Sequence, residues 1–232
     1  MIDKTCRLTD VVTLFHDHQS IMVGGFGVPG TPFLLIDAVL ASGRSALTII
    51  KNEANEDRLG VSKLIEAGRV ERLIVSHLGL NATAMACMNR GEISVDFYPQ
   101  GILAEKIRCG GAGIYGFLTD IGVDTILAQG KELLQMKNGV VCIFESAVRA
   151  DVALIHAARG DRYGNLVYAK SARNFNAAMA TAADIVIAEI EEIVDVGEIH
   201  PDAVHTPGAF VDHVVTIDTL TPEYGVLSRH VL

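Results

Sequence analysis

Short apolar runs punctuate the first half of the chain: SIMVG at 20–24, LTIIK at 47–51, RLIVSH at 72–77 and ISVDFYP at 93–99. Each is rich in β-branched residues and too short for a helix, so each predicts a strand. Between them lie TPFLLIDAVLASG, GVSKLIEAGRV and NATAMACMNRG, whose composition predicts helices. Upstream, Leu8, Val11, Val12 and Phe15 fall on one helical face, with Thr9 or Asp10 placed to cap it. The second half repeats the alternation with GVVCIFE, ADVALIHA, NLVYA, the helix-like NAAMATAA, DIVIAEI and DHVVTI. Strand alternating with helix predicts an α/β fold with an open, largely parallel sheet flanked by helices. The glycine-rich stretch from Gly110 to Gly122 predicts a loop, mobile or facing a substrate. We expect one domain over 1–217 and a C-terminal arm over 218–232.

Composition narrows the function. A chain of 232 residues that is 50% hydrophobic can bury a sizeable core. No apolar stretch reaches the roughly 18 to 20 residues of a spanning helix, and the first residues are too polar for a signal peptide, which predicts a cytoplasmic protein away from the membrane. A formal charge of -9 opposes nucleic-acid binding. Cys6, Cys87, Cys109 and Cys142 are scattered, and the eight histidines form no H-E-x-x-H pattern, so no metal site is expected.

The stretch IMVGGFGVPGTP, Ile21 to Pro32, carries the chemistry. A strand that ends in glycines and passes into a helix places backbone amides and a helix N-terminus together, an arrangement that suits a phosphate or another anion. The other reading is a tight strand-to-helix turn. The spacing matches neither the G-x-G-x-x-G dinucleotide pattern nor a P-loop.

This stretch resembles the signature of the family I coenzyme A transferases: an acidic or amide residue, then three apolar residues, Gly-Gly-Phe, and a later Gly-x-Pro. Asp17, Ile21 to Val23, Gly24 to Phe26, Gly30 and Pro32 fit it. His18 departs, standing where the family has Gly or Asn. Further blocks follow in order: YPQGILAEKIRCGGAG at 98–113, GNLVYAKSARNFN at 164–176 and EIEEIVDVGEIHPDAVHTPGAFVDHVV at 189–215. The likeness is greatest to the α subunits of the acetate and 3-oxoacid type.

The resemblance implies a CoA-transferase/NagB-like fold and coenzyme A contact along Gly24, Gly25, Phe26, Gly27, Val28, Pro29 and Gly30. Coenzyme A then enters as the acyl-CoA substrate, with no permanently bound cofactor. Gln100 is expected at the acyl centre as a donor to the thioester oxygen, its alternative being a cap for the helix that follows. Asn52 is expected near the pocket for the short-chain carboxylic acid. The attacking glutamate is expected on a partner β subunit, within an α2β2 assembly, because its motif does not occur here; Glu53, Glu56, Glu105 and Glu145 stand outside it. Arg173 and the asparagines of SARNFN read as loop fasteners at least as well as carboxylate ligands, and His77 as an ordinary hydrogen-bonded residue. A rival reading is a sugar-phosphate isomerase or sensor domain of NagB type.

Overall fold

The computed structural model describes residues 2–226. Its main sheet has eight strands. β1 (Ser20–Val23), β2 (Leu47–Ile50), β3 (Val70–Val75) and β4 (Ser94–Phe97) pair in parallel and in sequence. Helices return the chain between them: α1 (Leu8–Val11) precedes β1, and α2 (Phe33–Ser42), α3 (Val61–Glu66) and α4 (Ala82–Asn89) follow the first three strands. α5 (Gln100–Gly111) then leads into a separate antiparallel sheet of β5 (Gly116–Thr119), β6 (Leu133–Gln135) and β7 (Val141–Ser146), in the order β5-β7-β6. The chain re-enters the main sheet through β8 (Ala150–Asp161), with the short β9 (Leu166–Val167) antiparallel on its end. α6 (Asn176–Met179), β10 (Ala183–Val194) and β11 (His213–Thr216) complete it, giving the order β11-β10-β8-β1-β2-β3-β4.

Alternation along the strands builds a core on each face. Ile21, Val23, Val152, Leu154 and Ile187 point to the face covered by α1 to α4, where Val11, Leu35, Ile36 and Leu64 meet them. Met22, Ala153, Ile155, Val186 and Ala188 point to the other, against Leu103 and Ile107 of α5 and Met179 of α6. Both faces being covered explains why the strands read as near-continuous apolar runs.

The fold class is as expected. The opening helix is shorter: it stops at Val11, continues as a single 3-10 turn over Val12–Leu14, and leaves Phe15 extended yet fully buried. Its cap is neither Thr9 nor Asp10 as N-cap residue. Arg7 holds that position, and the Asp10 carboxylate reaches back to the Arg7 amide at 3.2 Å, which satisfies one of the amides a helix start leaves unpaired. The stretch 110–122 is not one loop, since the end of α5 and all of β5 lie within it. Its glycines serve packing instead: a Cβ on Gly110 would lie 2.1 Å from the Val148 carbonyl oxygen, and one on Gly116 2.4 Å from that of Glu145. Of the expected arm, residues 227–232 lie outside the described residues. Its start is docked: Tyr224 packs edge-on against Phe33 with ring centroids 4.8 Å apart, and Lys63 pairs with Glu223 at 2.6 Å.

Candidate active site

Parallel pairing delivers the carboxyl ends of β1 to β4 to one edge of the sheet. β1 lies where the strand order reverses, between β2 on one side and β8 on the other. A crevice opens at such a point, and the segments after successive strands converge on it. Here those segments are Gly24–Gly30, Lys51–Glu53, Ser76–His77 and Pro99–Gln100.

The glycine segment is held from inside. A Cβ on Gly24 would sit 1.9 Å from Asn176 Oδ1, and one on Gly30, at φ +74°, would sit 2.4 Å from the Ala172 carbonyl oxygen. Gly25, at φ +97°, brings its backbone against Thr31. Asn176 Nδ2 donates to the Gly30 carbonyl at 2.9 Å while its Oδ1 accepts from the His156 amide at 3.0 Å, and Asn174 Nδ2 donates to the Pro29 carbonyl at 2.9 Å. The two asparagines of SARNFN are therefore fasteners of this loop, whereas Arg173 is exposed. Phe26 stands out 46% exposed, and Val28 turns inward onto Phe33 and Leu59.

The helix end that follows is not open to an external phosphate in the way its sequence suggests. Pro32 occupies the cap position of α2, and the Leu35 amide donates to Glu189 Oε2 at 2.9 Å. Glu189 is wholly buried, so the chain's own carboxylate complements this end of the helix. The Gly27 amide is likewise engaged, by Glu53 Oε1 at 3.0 Å. Among the described residues the amides of Gly25, Val28 and Gly30 have no acceptor, and these are the donors the loop retains.

The structure brings Gln100 and Asn52 together although 48 residues separate them. Gln100 is the first residue of α5, with Pro99 in the cap position, and its Nε2 donates to Asn52 Oδ1 at 2.8 Å rather than its side chain capping the helix. Asn52 Oδ1 also accepts from Ser76 Oγ at 3.0 Å, and Asn52 Nδ2 donates to Glu53 Oε2. Lys51, fully buried, meets Glu53 Oε1 at 2.8 Å. Burial pushes the Lys51 ammonium below the ordinary lysine range, and Glu53 opposes that shift. His77 sits on the same edge, its Nδ1 3.0 Å from Ser76 Oγ and its backbone bridged to Glu53.

Two features escaped the sequence reading. Glu53 and Lys51 are part of the site's frame; two opposite charges at the end of an apolar strand were the available signal. Behind the glycine loop, His156 of β8 lies between Glu189 and Glu191 of β10, 2.9 Å from each, with the Tyr224 hydroxyl 2.8 Å from its Nδ1. The i,i+2 spacing places both glutamates on one face of β10, and register sets Glu189 directly opposite His156. Burial alone would lower the imidazole, but hydrogen bonds to the two carboxylates outweigh it and raise the pKa to about 9. Elsewhere, Glu105 pairs on the surface with Arg108, and buried Glu145 is held by Lys106 at 2.9 Å and by Lys131.

Clefts lie at other places too, one of about 550 Å³ by Cys6, Leu34 and Asp218 and one of about 420 Å³ by Tyr115 and Arg149. Neither includes the glycine loop, Asn52 or Gln100. Among the described residues no cluster of three His, Cys, Asp or Glu side chains is arranged for a metal, and no helix is long and apolar enough to cross a membrane.

The family model described as "Coenzyme A transferase" matches residues 6–216. The alpha subunit of the acetate CoA-transferase of Escherichia coli is 46% identical over 93% of this chain and 97% of its own length. The corresponding subunit of a succinyl-CoA:3-ketoacid coenzyme A transferase of Xanthomonas campestris is also 46% identical, over 99% of this chain and 92% of its own. In backbone, an acyl-CoA transferase from E. coli O157:H7, solved as a thioester complex with CoA, superposes at a TM-score of 0.83 over 94% of this chain. Identity there is 23%, so that likeness shows the fold, and this chain spans about half (48%) of the longer one. These likenesses are to transferases and do not favour a sugar-phosphate isomerase.

Proposed function

The chain belongs to the coenzyme A transferase family as an α subunit, and from that premise we propose that it moves CoA between a short-chain acyl-CoA or acetoacetyl-CoA and acetate or a related carboxylic acid. The observation that carries this reading is the Gln100–Asn52 pair, fixed at the carboxyl edge of the sheet beside the glycine loop. Gln100 is exposed, and with one Nε2 hydrogen on Asn52 it keeps a second to offer a thioester oxygen. A donor so aimed stabilises the charge that gathers on that oxygen as the carbonyl is attacked.

The attacking group is a glutamate carboxylate of a partner β subunit. Its oxygen adds to the acyl carbon, the C–S bond breaks and CoA leaves as thiolate, giving a mixed anhydride. The thiolate then attacks the glutamyl carbonyl, releasing the first acid and leaving a glutamyl-CoA thioester for the second acid to collect. Geometry in this chain supports that division: Glu53, the carboxylate nearest Gln100 through Asn52, already has both oxygens engaged, by Lys51 and the Gly27 amide on one and by Asn52 on the other. The exposed Phe26 and the unpaired amides of the glycine loop then face the coenzyme, while Asn52, wholly buried, serves the acid pocket from behind by holding Gln100.

An exchange assay tests this directly. The purified chain alone should show negligible transfer, and mixing it with its β subunit should restore transfer between acetyl- or acetoacetyl-CoA and short-chain acids, with the covalent thioester found by mass spectrometry on the β subunit. Robust turnover by the lone chain, or an acyl or CoA adduct on it, sinks the proposal.

A further inference from the structure

We propose that Glu53 is a positioning residue that fixes which way the Gln100 amide points, by setting the polarity of a chain of hydrogen bonds that runs from the glycine loop to the acyl site. This rests on the function proposed above for Gln100. An ionised carboxylate only accepts hydrogen bonds. With Glu53 Oε2 against Asn52, that side must be the Asn52 NH2, and Asn52 Oδ1 is thereby turned the other way. Ser76 Oγ shares its one hydrogen between the Asn52 carbonyl at 2.8 Å and Asn52 Oδ1 at 3.0 Å, and as a hydroxyl it could equally accept, so the choice of orientation falls to Glu53. The Gln100 amide, meeting an oxygen, then presents Nε2 to it at 2.8 Å. Each link admits one orientation because the first link has no donor. Asparagine and glutamine amides have nearly the same shape with nitrogen and oxygen exchanged, so shape alone would not choose.

Lys51 and the glycine loop hold the carboxylate in register. Glu53 Oε1 accepts from Lys51 Nζ at 2.8 Å and from the Gly27 amide at 3.0 Å, so a movement of the loop that carries Gly27 is felt at Gln100 through two side chains. All three of Lys51, Asn52 and Glu53 are buried, at 0, 0 and 4% exposure, which keeps water from substituting for a link. Glu53→Gln keeps the volume but supplies both a donor and an acceptor, so the polarity is no longer dictated. Glu53→Asp keeps an acceptor-only group on a shorter stem.

The test uses the assembled enzyme for kinetics and the full chain for spectroscopy. For E53Q we expect kcat to fall about tenfold or more, with the KM for acyl-CoA changed less than about threefold. E53D should recover part of the loss, and E53Q/Q100A should be no slower than Q100A, because the two residues act in one line. The Gln100 side-chain 1H–15N signals should shift in E53Q and return toward wild type in E53D. K51M/E53Q, which removes the buried charge left over in E53Q, serves if E53Q folds poorly; it should show the same kcat loss and the same Gln100 shift. An unchanged kcat in a folded variant, effects that multiply with those of Q100A, or Gln100 signals that do not move would each overturn the proposal. If the wild-type assembly exchanges no acid while the Gln100 signals still follow Glu53, the functional reading falls and the positioning role stands.

Discussion

His18 stands at φ +64°, in the left-handed region where the family signature has Gly or Asn. Its amide donates to the Ser45 carbonyl at 3.1 Å, so the conformation belongs to the turn that leads into β1, at the opposite end of that strand from the glycine loop. The departure from the signature therefore costs local strain in that turn and leaves the glycine loop untouched. His18→Gly should stabilise the chain by roughly 0.5 to 1 kcal/mol and raise Tm by a few degrees without altering transfer kinetics. Differential scanning calorimetry checks it; an unchanged or lower Tm would show that the turn carries no strain. Gln100→Ala, by contrast, should leave Tm nearly unchanged, since the side chain is exposed, and lower kcat by about ten- to a hundredfold with acyl-CoA KM little altered. A silent variant would return Gln100 to the helix it begins.

At the scale of elements, the α2 start and the β8–β10 pair form one unit. Glu189 gives one oxygen to the Leu35 amide and the other to His156 and the Tyr224 hydroxyl. Removing it strands a helix amide and leaves the buried imidazolium with Glu191 as its one carboxylate partner, so Glu189→Ala should destabilise by about 3 kcal/mol. Glu189→Gln, which still offers an oxygen to Leu35, should cost clearly less. Urea unfolding of the two variants separates them, and equal losses would mean that the helix start contributes nothing. This unit also marks the limit of what the chain's order of residues reveals. Strands β1 to β4 and helices α2 to α4 were legible because each is a local run with its own period and punctuation. Of the three-stranded sheet, β7 was legible as GVVCIFE but its two partners were not: β5 and β6 are short, half-exposed and set among glycines, so their apolar positions mimic a loop. Gln100 and Asn52 could be singled out one at a time. Their contact, and the roles of Glu53, His156 and Glu189, depend on which parallel strands lie side by side and in what register, and no local pattern encodes that.

For the molecule as a whole, His156 couples stability to pH. An imidazole whose folded pKa is raised to about 9 binds its proton more tightly in the native state than in the unfolded chain. Its contribution is fully present below the ordinary value near 6.5, shrinks as pH rises, and is gone once pH passes about 9. The size is on the order of 3 kcal/mol, a large share of a typical net stability. Urea midpoints should therefore fall between neutral and mildly alkaline pH, and His156→Gln should flatten that slope while lowering stability at neutral pH. A wild-type profile that stays level across this window would refute the charged state of the histidine.

Tyr224 offers a spectroscopic handle. The chain has five tyrosines and no tryptophan, so absorbance near the phenolate band counts ionised phenols without interference. Burial, and then the charge of Glu189, drive the Tyr224 phenol far above its ordinary value, and burial lifts Tyr168 to about 12. In an alkaline titration these two should be the last of the five to ionise, later than Tyr98, whose phenol burial also raises, and should resist until the native structure gives way. In a Tyr168→Phe chain the late step would then report, in a single optical trace, when the segment beyond the last strand lets go of the helix it clasps.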